Sequence, residues 1–212
     1  MSSVSSMEPL ASASDRVCGW VPAVDSIYRL SVEQYDAMVA SGVFKKRDRL
    51  ELINGFLVSK MTEHPPHAVA STMLWEAILR ILAPGWHLRL DKPLRIPECK
   101  SVPEPDLVMV RGSVQDYLDA HPGPADVGLV VEVADSSLEL DRAMMAVYGG
   151  TGIPVYWIVN LVDRQLEVYS GPRTTGYASR EILKSGDAVS LIHEGALLGK
   201  IFVDELLPRR RT

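Results

Sequence analysis

The sequence predicts one α/β domain in which helices flank a mixed sheet. Three observations carry this expectation. Leu129-Val130-Val131-Glu132-Val133 and Val155-Tyr156-Trp157-Ile158-Val159 are short apolar runs of the kind that form buried strands. Between them, Leu138 to Tyr148 reads as a helix, so 129–159 is a strand–helix–strand crossover with its two strands parallel. Asn54-Gly55 between Arg49–Ile53 and Phe56–Val58 is a strong short-range hairpin signal, which adds antiparallel pairing.

The remaining elements follow in chain order. Met1 to about Ala23 is small, polar and aperiodic, and is expected to be a flexible tail over 1–23. A helix should begin at Ser31, where Ser31 and Gln34 form a capping box and Tyr35, Met38 and Val39 supply an apolar face. After the hairpin, Pro65-Pro66 precedes a long helix over about His67 to Leu82, with Val69, Ala70, Met73, Leu74, Ala77, Ile78, Ile81 and Leu82 at helical spacing. Strands are expected at Trp86–Leu90, Leu94–Ile96 and Leu107–Val110, and a short helix near Val114–Ala120. Beyond the crossover, Gln165–Tyr169 should pair back on the preceding strand, with later strands at Glu181–Leu183 and Ala188–Ile192. The domain is expected over 24–208, followed by a basic tail over 209–212 that contains Arg209-Arg210-Arg211.

Bulk properties narrow the function. A length of 212 residues suits one substantial domain rather than two. A net charge of −5 argues against a strongly basic, sequence-independent nucleic-acid coat, although a local basic groove depends on where charges sit. The run Lys45-Lys46-Arg47 and the tail Arg209–Arg211 are candidate phosphate contacts, or simply solvated charge. The two cysteines, Cys18 and Cys99, show no paired metal spacing, and a chain able to bury its own core has little need of a disulfide. No apolar run reaches the roughly 20 residues of a membrane span, and Met1–Ser14 lacks the basic start and apolar block of a secretory signal. The expectation is a cytoplasmic protein with no membrane partner.

Glu132 is the residue out of place. A lone carboxylate in an apolar strand costs several kcal/mol if it ionises, so it shifts its pKa or finds a compensating cation. Asp106 stands in a similar position, because Pro105-Asp106 leads straight into Leu107-Val108-Met109-Val110. Two acids on two core strands could converge on one point. Hard oxygen donors of this kind suit Mg²⁺ or Mn²⁺, whose expected use is phosphodiester hydrolysis. The other reading is that Glu132 faces outward on a half-exposed strand or pairs with Arg142, and the residues alone leave both open.

The order Pro105-Asp106, then Val131-Glu132-Val133, resembles the PD-(D/E)XK nuclease superfamily. More narrowly, the chain resembles its restriction-endonuclease branch long described as a domain of unknown function. The likeness runs from about Tyr28 to Pro208 and includes Glu51-Leu52-Ile53-Asn54-Gly55, His67, Pro105-Asp106-Leu107 and Gly152-Ile153-Pro154 through Val159. It implies a restriction-endonuclease-like single domain, Mg²⁺ (or Mn²⁺) as cofactor, DNA as substrate and a homodimer. Asp106 and Glu132 would be the metal-binding pair, helped by the carbonyl of Val133. Glu51 would be a third acid, and His67 would line the site. Read without the resemblance, Glu51 fits an outward polar residue in the alternation of Leu50-Glu51-Leu52, and His67 fits a helix-start residue facing water.

One departure bears on activity. The superfamily's lysine two residues after the second acid is here Ala134. In the resembling branch it lies on the next helix, four residues before the tyrosine matching Tyr148, and here that position is Met144. Asp141 to Tyr148 contains no lysine and is one residue shorter than the branch's spacing. Arg142 could stand in as a cation but cannot act as a base, and Lys60 or Lys92 could reach the site from elsewhere. Two expectations therefore stand: a Mg²⁺-dependent DNA endonuclease, or a catalytically degenerate nuclease fold acting as a binding or interaction module.

Overall fold

The computed structural model describes residues 23–45, 48–60, 63–193 and 195–209. Most of the expected N-terminal tail with Cys18, Lys46 and Arg47 of the basic run, and 210–212 of the basic tail lie outside the described residues. No helix among the described residues is long and apolar enough to cross a membrane.

The first α-helix among the described residues is α1 (Val32–Ala40), capped by Ser31 and Gln34 in the expected reciprocal capping box. Its buried face is Val32 and Tyr35; Val39, expected on that face, is exposed. The hairpin β1 (Leu50–Ile53) and β2 (Phe56–Ser59) forms around Asn54 and Gly55, whose φ values of 50° and 81° are the left-handed pair a two-residue turn needs. Helix α2 (Pro65–Leu79) starts earlier than expected, because both prolines fit its first turn, where their missing N–H groups would go unbonded anyway. It buries Ala70, Leu74, Ala77 and Ile78.

The central sheet has the order β3 (Trp86–Arg89), β4 (Leu107–Arg111), β5 (Val127–Ala134), β6 (Val155–Asn160), β7 (Gln165–Arg173) and β8 (Gly176–Leu183). Only β5 and β6 run parallel, joined by α3 (Leu138–Gly150) as the crossover required. A separate hairpin, β9 (Ala188–His193) and β10 (Ala196–Phe202), completes the fold.

Three expectations are corrected. Leu94 and Ile96 are fully buried yet form no strand; between Pro93 and Pro97 their N–H groups bond to the carbonyls of Pro103 and Ser101, leaving one isolated bridge, Ile96 to Ser101. Val114–Ala120 contains only a 3-10 turn at Val114–Tyr117. The strand β10 was not foreseen.

The sheet buries both faces. On one, Leu107, Met109, Val131, Val133 and Trp157 pack against α2 and the β9–β10 hairpin. On the other, Val108, Val110, Val130, Ala134 and Ile158 pack against Met144, Val147 and Tyr148 of α3. Helix α3 lies so close to the start of β8 that a Cβ at Gly149 would stand 2.2 Å from the carbonyl oxygen of Gly176. Strand alternation places Glu132 on this α3 side with Val130 and Ala134, and Asp106, one residue before Leu107, on the same side as Val108.

Candidate active site

Asp106 and Glu132 face each other because of the β4–β5 register. Leu107 pairs with Val131, so the next residue outward on each strand is an acid. The backbone N–H of Asp106 donates to Glu132 Oε2 at 3.2 Å, and the N–H of Val133 donates to Asp106 Oδ2 at 2.7 Å. Asp106 is 6% exposed and Glu132 is partly buried.

Three other elements close on the pair. The hairpin brings Glu51 into the same pocket, where the N–H of Glu104 donates to its Oε1 at 3.1 Å. From the first turns of α2, His67 Nε2 donates to Asp106 Oδ2 at 3.1 Å. From α3, Tyr148 donates its hydroxyl to Glu132 Oε1 at 2.9 Å. The outward readings of Glu132, Glu51 and His67 are thus corrected: all three line one pocket. So is the suggested Glu132–Arg142 pair, because Arg142 turns to Glu167 at 2.7 Å and to Glu139 at 3.2 Å.

Among the lining residues outside the expected set of Asp106, Glu132, Glu51 and His67, two bear most on the chemistry. Asp141 on α3 is buried and accepts a hydrogen bond from the Ser137 hydroxyl at 2.6 Å. Its signal was present: Asp141, Met144 and Tyr148 share a helix face at i, i+3 and i+7. The other is Lys60, just after β2; Lys92 is exposed and lies outside the pocket.

The pocket is strongly acidic. Glu51, Glu63, Glu104, Asp106, Glu132, Asp135 and Asp141 line it, with Lys60 the one lysine among the described lining residues. Burial pushes the Glu51 carboxyl up to about 7, against the pull of Lys60. Burial likewise pushes Asp141 up to about 7, although Ser137 opposes it. Glu132 is raised well above the ordinary range by burial and then by the charges of Asp106 and Asp141. Burial is the largest influence on the His67 and Lys60 pKa values and acts to lower them, but the bond from His67 to Asp106, the bond from Lys60 to Asp91 and the charges of the surrounding acids together outweigh it, so both are raised.

These shifts fix a pH dependence. A carboxyl whose folded pKa is raised contributes stability below its unfolded pKa, near about 4, and that stability is lost as pH rises through the folded value. In chelator, the melting temperature should therefore fall between about pH 4 and about pH 7, the level to which Glu51 and Asp141 are raised. Asp141→Asn should flatten this fall, as thermal melts across that range would show; an unchanged slope would contradict the assignment.

Carboxylate oxygens in a buried, acid-rich pocket fit a hard divalent cation in donor type and charge. Among the described residues, however, no three His, Cys, Asp or Glu side chains are drawn together closely enough to hold an ion. Asp106 and Glu132 are the tethered pair, and Glu51 lines the same pocket without joining them in such a group.

Comparisons with known proteins agree with this architecture. A family model described as Uma2, putative restriction endonuclease, matches residues 32–196. A solved structure described as a putative nuclease belonging to DUF820, from Anabaena variabilis ATCC 29413, superposes with a TM-score of 0.63 at 12% identity, covering 84% of this chain and 97% of that one. At that identity the likeness establishes the fold. No curated protein matches the chain.

Proposed function

The chain belongs to the Uma2 family of putative restriction endonucleases, and from that premise we propose that it is a Mg²⁺- or Mn²⁺-dependent endonuclease that hydrolyses DNA phosphodiesters. One observation carries the reading: Asp106 and Glu132 stand opposed across β4 and β5, tied to one another, in a pocket that Glu51 also enters.

In this reading Asp106, Glu132 and the carbonyl of Val133 would hold the ion, and Glu51 would complete the set. A divalent ion bound there activates water and neutralises charge on the phosphate. His67 and the Val133 N–H orient Asp106, and Tyr148 orients Glu132. The water oxygen bonds to phosphorus as one P–O ester bond breaks, leaving a phosphomonoester and an alcohol. The protein acts as a homodimer, as the family resemblance implies.

The test is cleavage of duplex DNA, single-stranded DNA and RNA in Mg²⁺, Mn²⁺ and chelator. Cleavage of DNA that requires the ion is the expected result; no cleavage of any substrate with either ion would contradict the reading.

A second reading has one observation behind it. Ala134 and Met144 are both buried among apolar side chains, so neither position offers a cation. A degenerate fold that only binds nucleic acid would show binding without cleavage, and would gain cleavage in Met144→Lys.

A further inference from the structure

Phosphodiester hydrolysis builds negative charge on the phosphoryl oxygens, and an acid-lined pocket repels the substrate unless a protein cation meets it. Arg142 is engaged elsewhere by Glu139 and Glu167. Lys60 is not.

Its position is set by the hairpin. The backbone N–H of Lys60 donates to the carbonyl of Arg49 at 2.8 Å, closing the open end of β1–β2. The side chain is 15% exposed. Its Nζ donates to Asp91 Oδ1 at 2.7 Å and to the carbonyl of Glu104 at 2.7 Å. An ammonium has three N–H donors. Two are fixed by these bonds, and the nitrogen stands 4.0 Å from Asp106 Oδ1, too far for a hydrogen bond. The third donor is left for a group that enters beside Asp106. A lysine that served only to strap the 91 and 104 loops together would need no place beside the acid pair.

We propose that Lys60 is the catalytic cation of this site, contacting a non-bridging oxygen of the scissile phosphate through its third N–H. The cation thus comes from the end of a hairpin strand, while positions 134 and 144 carry apolar side chains. This inference rests on the nuclease reading. In the step it serves, water adds to phosphorus, the P–O ester bond breaks, the proton released from water is balanced by the one taken up by the leaving alkoxide, and Lys60 keeps its own protons throughout.

The informative variant is Lys60→Gln. Its amide retains two N–H donors for Asp91 and Glu104 but loses the charge. With saturating Mn²⁺ and DNA, kcat should fall by about 10²- to 10³-fold. Mn²⁺ affinity by calorimetry should be equal or tighter, since a positive charge near the carboxylates has been removed. Lys60→Met should lose at least as much rate, and Lys60→Arg should retain more than either. Cleavage by Lys60→Gln within about threefold of wild type would overturn the proposal, as would weakened Mn²⁺ binding, which marks a structural strap. Absence of cleavage by the wild-type protein would instead remove the nuclease reading and this inference with it.

Discussion

Glu132→Gln is expected to lower ion-dependent cleavage by on the order of 10³-fold or more, equivalent to about 4 kcal/mol of transition-state stabilisation. The same change should leave the ion-free protein folded and at least as stable at pH 7. The two halves of this expectation share one physical origin. Glu132 sits in a strand whose flanking residues, Val131 and Val133, are core residues, and burial with neighbouring acids raises its pKa well above the ordinary range. At neutral pH, ionising it opposes folding, and a neutral amide removes that penalty. The amide keeps the local bonds. Its carbonyl can accept from the Asp106 N–H, and its NH₂ can donate to the Tyr148 oxygen, which now acts as acceptor. What the amide cannot supply is an anionic ligand. Cleavage assays and thermal melts on the same preparation check both halves. A variant that loses activity because it unfolds would contradict the second, and one that cleaves normally would contradict the first.

Glu167→Ala should have the largest effect on stability, about 3–5 kcal/mol, or on the order of 10 °C in melting temperature. Glu167 is fully buried in β7 and accepts from Arg142, Arg180, Asn160 and Tyr169 at 2.7 to 3.0 Å. Burial alone would raise its pKa, but the Arg142 hydrogen bond and its other donors outweigh it and hold the carboxyl at about 2. Alanine leaves two guanidinium groups, an amide and a hydroxyl without their common acceptor. Because the folded pKa is depressed, this stability is present above the unfolded carboxylate value and is lost as pH falls towards about 2. The pH dependence is therefore opposite in sign to that of Glu51 and Asp141. Denaturant unfolding at pH 7 measures the loss. Mn²⁺ affinity of the folded variant should be unchanged, since Glu167 does not line the pocket.

The elements around the site were legible because their signals are local. Five consecutive apolar residues, Val155 to Val159, announce β6, Asn54-Gly55 announces the hairpin turn, and Ser31 with Gln34 announces the start of α1. Asp106 and Glu132 could be paired in advance because each interrupts or borders an apolar strand. The strand β10 was missed for a physical reason: a register irregularity between Leu197 and Gly199 breaks its period-two alternation. Gly199 itself faces Ile81, where a Cβ would stand 2.5 Å from a side-chain methyl. Leu94 and Ile96 show the converse, since burial alone does not make a strand when prolines flank it. Val39, Val69 and Leu79 are apolar yet exposed, which no periodicity rule distinguishes from core. The roles of Lys60 and Arg142 depended on long-range partners. Lys60 meets residues 31 and 44 positions away, and Arg142 finds Glu167 25 positions on. Tertiary geometry decides such pairings, and spacing along the chain does not reveal them.

We propose the pocket between β1, α2, β4, β5 and α3 as an ion site built on Asp106 and Glu132. Anomalous scattering from a crystal grown with Mn²⁺ tests it most directly. A single strong peak is expected within about 2.5 Å of carboxylate oxygens of both Asp106 and Glu132, with Glu51 turned towards it and Lys60 beside it but not bound. A peak elsewhere, or an empty pocket at saturating Mn²⁺, would contradict it.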